Sequence, residues 1–361
     1  MTRLHAVIMA GGGGTRLWPV SRRGRPKQLL RLAGDRSLFA ESVARLTPWL
    51  PAERITVAAS AELCEVLAPE APTLPRSSFL IEPEPKGTAA VLGLAAVVLA
   101  ERDPDAVMAV LTSDHAIAHP ERLRVLLEAG AELAAGGAIV TLGIPPESPD
   151  TGYGYLRRGP AVPGATEAYE VLEFREKPDR ATAERYLADG EHFWNSGMFL
   201  WRPARLLAEI DRQMPALARV LTLAARPGGA ESDAFRAAWA GLVPETIDYG
   251  IMEHAEGVVV LPAEGLGWSD IGTWDRVYDL LAKDASGNVV LQAAAMFHES
   301  SGNLVVGGGD ISGRLIVLEG VRDIVLVDTG DVVLVCHREH AGAVRAVVEA
   351  LERGGLGRYL H

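Results

Sequence analysis

Leu4-His5-Ala6-Val7-Ile8-Met9-Ala10-Gly11-Gly12-Gly13-Gly14-Thr15-Arg16-Leu17-Trp18-Pro19 stands at the head of the chain and decides how the rest is read. A short, continuously apolar run at 4–9 meets glycines at once, the pattern of a buried strand ending in a turn. Similar runs at 55–59, 107–111 and 139–142 alternate with helical stretches at 89–101 and 121–135. Continuous apolar strands between amphipathic helices predict an α/β fold with a mostly parallel, helix-covered sheet up to about residue 280. Such sheets bind ligands at the carboxyl ends of their strands, where these four glycines stand. With no Cβ atoms in the way, the backbone from Ala10 through Gly11, Gly12, Gly13, Gly14 and Thr15 can cradle a polyphosphate on its N–H groups.

Two common phosphate fingerprints are absent. Gly-x-Gly-x-x-Gly counted from Gly11 or Gly12 ends on Arg16 or Leu17, and no Gly-Lys-Ser/Thr follows. The loop instead carries Arg16, with Lys27 eleven residues later in Pro26-Lys27-Gln28, two cations able to reach one anion.

The chain has 361 residues, 48% apolar and 23% charged, which suits about two soluble globular domains. A formal charge of -12 argues against a nucleic-acid partner, since phosphate backbones are held by clustered Lys and Arg. Residues 1–10 lack the longer apolar region of a secretory signal, and no run approaches the roughly 20 apolar residues of a membrane span. A cytoplasmic protein with no membrane partner is expected. Cys64 and Cys336 have no metal or redox spacing and are expected as buried, reduced thiols.

The glycine-containing stretch at 226–233 is expected as a loop within the first domain. After Lys283 the texture changes. Apolar runs at 304–306, 315–318, 324–327 and 332–336 recur about every ten residues between Gly and Asp turns, predicting a small β module closed by a helix at 341–353. The expected domains are 1–282 and 283–361.

Two acids stand where a metal would need them. Asp114 follows Thr112-Ser113 at a strand's carboxyl end, and Asp270 lies in Trp268-Ser269-Asp270-Ile271-Gly272-Thr273-Trp274. Mg²⁺ takes carboxylates, phosphate oxygens and water, although either acid could equally cap a helix. His115 and His119 are four apart, but Pro120 and the lack of a third ligand speak against zinc.

The ordered set Gly11–Arg16, Leu17-Trp18-Pro19, Ser21-Arg22 and Pro26-Lys27-Gln28 resembles the nucleoside-diphosphate-sugar pyrophosphorylases, and within them the mannose-1-phosphate guanylyltransferases. The resemblance implies a Rossmann-like nucleotidyltransferase domain followed by a small domain like a left-handed β-helix. It also implies Asp114 and Asp270 as ligands of a Mg²⁺ cofactor, and Arg16, Lys27, Asp114 and Asp270 as the catalytic set. Ile81-Glu82-Pro83 and Thr88 resemble the nucleotide-contacting segment, with Glu82 facing guanine and Ser113 beside the nucleotide. Where guanylyltransferases typically read Gly-Arg-Asn before that threonine, this chain has Pro85-Lys86-Gly87. Gly152 and Tyr153, Glu176 and Lys177, Asn195, and Asp248 match the sugar-phosphate segments. The implied substrates are GTP and mannose 1-phosphate; a homodimer is compatible with this reading. Alternatives are another base or sugar, such as thymidylyl transfer to glucose 1-phosphate, or a nucleotide-sugar sensor without turnover. Larger relatives add a phosphomannose isomerase domain, for which a chain ending at His361 is expected to have no room.

Overall fold

The computed structural model describes residues 3–12, 14–32, 34–226 and 229–361. Gly13 of the glycine loop, and Pro227 and Gly228 of the expected loop at 226–233, lie outside the described residues, as do Met1, Thr2 and Ala33. The strands are β1 (Leu4–Met9), β2 (Ile55–Ser60), β3 (Phe79–Glu82), β4 (Val107–Thr112), β5 (Ala116–Ile117), β6 (Ile139–Ile144), β7 (Tyr155–Ala161), β8 (Tyr169–Arg175), β9 (His192–Trp201), β10 (Val258–Pro262), β11 (Trp268–Ser269), β12 (Val289–Leu291), β13 (Ala294–His298), β14 (Leu304–Gly307), β15 (Leu315–Glu319), β16 (Ile324–Asp328) and β17 (Val333–His337).

Contacts divide the chain into two compact units. The first comprises Met1–Gly11, Val43–Ser113 and Ile117–Trp268; the second comprises Gly12–Ser42, Asp114–Ala116 and Ser269–His361. The first unit holds a nine-stranded sheet in the order β3-β2-β1-β4-β9-β6-β10-β8-β7. Parallel pairing joins β1 to β2 and β4, β2 to β3, and β6 to β10. Strand β9 runs antiparallel between β4 and β6, and β8 antiparallel to β10 and β7. Apart from β8 and β9, every strand therefore points the same way. Every residue of β6 and of β10 is buried, as their unbroken apolar runs require.

The helix Thr88–Arg102 differs from the expected amphipathic cover. Its sequence is apolar nearly all round, and residues 89–97 and Leu99 are buried because the helices Pro203–Gln213 and Pro215–Ala224 close over it. Gly93 permits that approach, since a Cβ there would stand 2.7 Å from Leu221 Cδ1.

In the second unit, β12, β14 and β16 stack in parallel, and β13 pairs in parallel with β15, so successive strands alternate between two ladders. This is a β-helix-like winding, which the spacing alone left open; β17 ends it by pairing antiparallel with β16. Within the winding, Asn303 Nδ2 donates to Asn288 Oδ1 at 2.9 Å and its Oδ1 accepts from Ile324 N at 3.0 Å. The closing helix spans Val344–Arg353 after a 3-10 stretch at Arg338–Ala343. Its apolar face joins a core with Leu17, Trp18, Val20 and Trp274. Cys64 is buried and its thiol is pushed up to about 11, chiefly by burial, whereas Cys336 is only half-buried; both are free.

Candidate functional site

The second unit carries the cationic and acidic residues. The glycine loop enters it at Gly12 and turns into the 3-10 helix Thr15–Leu17 through Gly14, whose φ of 57° is left-handed. A Cβ at Gly14 would lie 2.5 Å from Lys27 Cβ and 2.9 Å from Ser21 Oγ, so only glycine lets the loop close on Lys27. Thr15 and Arg16 are exposed, and among the described residues the Arg16 guanidinium has no hydrogen-bond partner. Lys27 follows Pro26 on the short helix Lys27–Leu29 and is only 7% exposed.

The Lys27 ammonium gathers the two distant acids. It lies 2.9 Å from Asp114 Oδ2 and donates to the carbonyl oxygen of Asp270 at 2.5 Å. Neither acid is a helix cap: the helix Pro120–Ala135 begins at His119, and Trp274–Leu280 is capped by Thr273, whose side chain accepts from Arg276 N. Asp270 Oδ1 accepts from Gly272 N at 3.2 Å. Between them Ile271 has a φ of 49°, a left-handed conformation that a β-branched residue adopts only under constraint. Sequence reasoning passed over Ile271, because backbone conformation leaves no mark in residue type.

Hard divalent cations take oxygen ligands, and here a cationic group already sits against a carboxylate and a carbonyl oxygen. The donor chemistry fits such an ion. Among the described residues no group of three or more His, Cys, Asp or Glu could hold a metal, so a cation on these oxygens would complete its shell from substrate and water.

The same unit explains Trp18-Pro19 and Ser21-Arg22 differently from the sequence reading. Trp18 and Gln28 are buried. The Trp18 indole donates to Tyr359 O at 2.9 Å, and Trp274 donates to Trp18 O at 3.1 Å. Arg22 grips Asp331 in a two-pronged pair at 2.7 and 2.8 Å and donates to Thr329 Oγ1. That pair holds the Asp331 carboxyl down at about 2. These signature residues fasten the segment carrying Lys27 to the β module.

The first unit carries the remaining residues. Ala10 and Gly11, Glu82, and Ser113 lie at the carboxyl ends of β1, β3 and β4, three strands of one direction and hence one sheet edge. Glu82 is 9% exposed, and its Oε2 has no partner among the described residues. Burial pushes its carboxyl up to about 7 against the opposing pull of a hydrogen bond from the Lys86 backbone. In the departing segment, Lys86 Nζ donates to Ala240 O at 2.7 Å and pairs with Glu84. Gly87 has a φ of 85°, and a Cβ there would stand 2.1 Å from Glu245 O, so this turn requires glycine. Thr88 Oγ1 accepts from Ile247 N at 2.8 Å, tying the helix start to the segment that bears Asp248.

Glu176, Lys177, Asn195 and Asp248 come together. Lys177 Nζ pairs with Glu176 Oε1 at 2.7 Å, Asn195 Nδ2 donates to Asp248 Oδ1 at 2.8 Å, and Glu253, missed in the sequence, accepts from Glu176 N. Glu176 Oε2 is buried without a partner among the described residues; it faces Gly154, whose absent Cβ would lie 2.3 Å away. Burial and then the Glu176 charge raise the Asp248 carboxyl to about 6, against Asn195 and Lys177. Lys177 itself has a φ of 43°. Gly152 N donates to Asp150 Oδ1, and the Tyr153 ring lies 4.9 Å from Trp194 and 5.4 Å from Trp268, an aromatic wall that sequence reasoning missed.

This arrangement can bind anions with lysines, accept from hydroxyl and ring N–H donors with carboxylates, and hold a cation. Residues 5–287 match the nucleotidyl transferase family model. The chain belongs to the nucleotidyl transferase family. Residues 299–351 match a further model described as a MannoseP isomerase/GMP-like beta-helix domain. The transferase is 37% identical over 363 residues to the mannose-1-phosphate guanylyltransferase ManC of Salmonella typhimurium, covering 98% of this chain and 74% of that protein. It is 34% identical, with the same coverage, to the mannose-1-phosphate guanylyltransferase of Escherichia coli K12. A crystal structure described as mannose-1-phosphate geranyltransferase from Thermus thermophilus superposes with a TM-score of 0.87 at 33% identity, covering 97% of this chain and 99% of that one. The transferase is thus an α/β nucleotidyltransferase enzyme with a β-helix-like C-terminal region, in a family that generally uses a divalent metal. No helix among the described residues is long and apolar enough to cross a membrane.

Proposed function

We propose that the transferase is a mannose-1-phosphate guanylyltransferase, converting GTP and mannose 1-phosphate to GDP-mannose and diphosphate. The observation that carries this reading is the convergence of Lys27, Asp114 and Asp270 on one ammonium-centred cluster beside the glycine loop. The names of the relatives at 34% and 37% identity support this choice of substrates.

The attacking group is a phosphate oxygen of the sugar. A phosphate monoester has a second pKa of about 6, so near neutral pH it is largely dianionic and needs no general base. Its oxygen forms a bond to the α-phosphorus of GTP as the bridge to the β-phosphate breaks, and diphosphate leaves. Repulsion between two anions is the obstacle, so alignment and placed positive charge are what the protein contributes. Arg16 and the backbone of residues 10–15 hold the triphosphate, Lys27 neutralises the transferring and leaving phosphates, and Lys177 holds the incoming phosphate. Glu82 accepts from the guanine N–H donors, with Thr88 and Ser113 beside the nucleotide. Gly152, Tyr153, Glu176, Asn195 and Asp248 orient the mannose. Asp114 and Asp270 would hold Mg²⁺, which when bound supplies charge to the α-phosphate.

In this reading 1–282 performs the transfer and 283–361 forms the β-helical domain of a cytoplasmic enzyme with no nucleic-acid partner, acting as a monomer or a homodimer. A pyrophosphate-release assay crossing four nucleoside triphosphates with the 1-phosphates of mannose, glucose and N-acetylglucosamine tests it. Preference for GTP and mannose 1-phosphate is expected; preference for thymidylyl transfer to glucose 1-phosphate, or no turnover with any pair, refutes it.

A further inference from the structure

The Lys27 ammonium lies against both residues that the cation reading names, at the carboxylate of Asp114 and the main-chain carbonyl of Asp270. It is screened from water, sits 2.9 Å from Asp114 Oδ2 and bonds the Asp270 carbonyl. A divalent ion on Asp114 would stand about 2.1 Å from a carboxylate oxygen, against an ammonium only 2.9 Å from that same carboxylate. Two cations on the one Asp114 carboxylate compete, because their mutual repulsion opposes the gain each makes from the acid. The lysine stem, by contrast, has four rotatable carbons and can redirect its head toward another anion.

We propose that Lys27 is an exchangeable place-holder for the metal: it holds the cation position closed until the triphosphate draws the ammonium away, so that metal and nucleotide load together. This rests on Asp114 and Asp270 being the metal carboxylates. A metal whose binding requires an uncommon side-chain state binds more weakly by the fraction of that state. A ligand that stabilises the same state must strengthen metal binding, and the metal must strengthen the ligand's binding by the same factor. Lys27 thereby serves two steps with one charge, first preserving the acids' geometry and then countering the phosphates.

Mn²⁺ binding without nucleotide, followed by the electron paramagnetic resonance of free Mn²⁺, tests the exchange. Lys27→Met and Lys27→Gln are each expected to bind Mn²⁺ about tenfold or more tightly than the unaltered enzyme. Arg16→Met, which removes an exposed charge that does not rest on the acids, should change affinity by less than about threefold, because charges in water are screened. Equal gains from Arg16→Met and Lys27→Met would reduce the effect to general electrostatics and overturn the exchange. Asp114→Asn separates the two levels of the argument. If it abolishes Mn²⁺ binding while the Lys27 variants bind no better than the unaltered enzyme, the metal assignment stands and the exchange falls. If Mn²⁺ binding survives Asp114→Asn, the assignment falls and the exchange with it. The unaltered enzyme supplies an independent readout. Saturating Mn²⁺ should expose the Lys27 amine to an acylating reagent, seen by mass spectrometry of its peptide, and unchanged labelling would refute the proposal.

Discussion

Replacing Glu82 by Gln separates what the carboxylate costs the fold from what it does for the nucleotide. The residue is 9% exposed, with Oε2 unpartnered among the described residues and a carboxyl pushed up to about 7 from 4.5. A raised folded-state value means that between pH 4.5 and about 7 the native chain holds a proton which the unfolded chain has released. Stability therefore falls as pH rises through that window and is level on either side. At about 1.4 kcal/mol per pH unit the ceiling is about 3 kcal/mol, and residual contact with solvent reduces it to about 1.5 kcal/mol. Glutamine keeps an acceptor for the Lys86 N–H but cannot ionise. Its buried amide shifts stability by an amount that does not vary with pH, so the diagnostic quantity is the difference between the two proteins as a function of pH. Urea unfolding at intervals from pH 4.5 to 8.5 should show the variant gaining about 1.5 kcal/mol on the parent across the window. In the same variant kcat/KM for GTP, measured above pH 7 where the carboxylate is ionised, should fall by about ten- to a hundredfold, the loss of a charged acceptor for two N–H donors. Parallel stability curves would refute the buried, protonated Glu82, and an unchanged kcat/KM would refute its contact with the base.

Asp114→Ala and Asp270→Ala should each abolish diphosphate release with the circular dichroism spectrum retained; near-normal turnover by either removes it from the metal assignment. Lys27→Ala is expected to lower kcat more than it raises the KM for GTP, and the reverse split would make it a binding residue alone. Gly154→Ala would place a Cβ 2.3 Å from Glu176 Oε2, the end of a movable side chain. It should cost under about 1 kcal/mol in thermal stability while raising the KM for the sugar phosphate about tenfold, since a displaced carboxylate no longer fixes the hydroxyls. Arg22→Ala removes the grip on Asp331, whose folded-state carboxyl lies at about 2. The lost stability, about 1 kcal/mol at an exposed pair, should be present above about pH 4 and vanish as pH falls toward 2, so unfolding curves of the two proteins should converge in acid.

The α/β alternation and the glycine-lined turn after β1 were legible in the sequence because each rests on local chemistry, whereas most of the candidate site residues were named by resemblance to a family. An apolar run between polar turns buries wherever it lies, and a glycine lacks a Cβ in any fold. Strands β7, β8 and β9 were not read, since β7 and β8 carry exposed charges out of step with the period of two and β9, buried at nearly every position, sets polar residues among its apolar ones. The roles of Trp18 and Arg22 were likewise invisible, because their partners Tyr359 and Asp331 lie more than three hundred residues away in the chain.

Sequence by itself determined which residue types can meet a triphosphate, a cation and a sugar phosphate. Only the tertiary structure decided their company. It brought Lys27 against Asp114 and Asp270, set Glu176 and Asn195 against Gly154, and held Lys177 and Ile271 at left-handed φ. Each of these depends on contacts between segments distant in the chain or on backbone angles imposed by packing, and neither is encoded by a residue's own preferences.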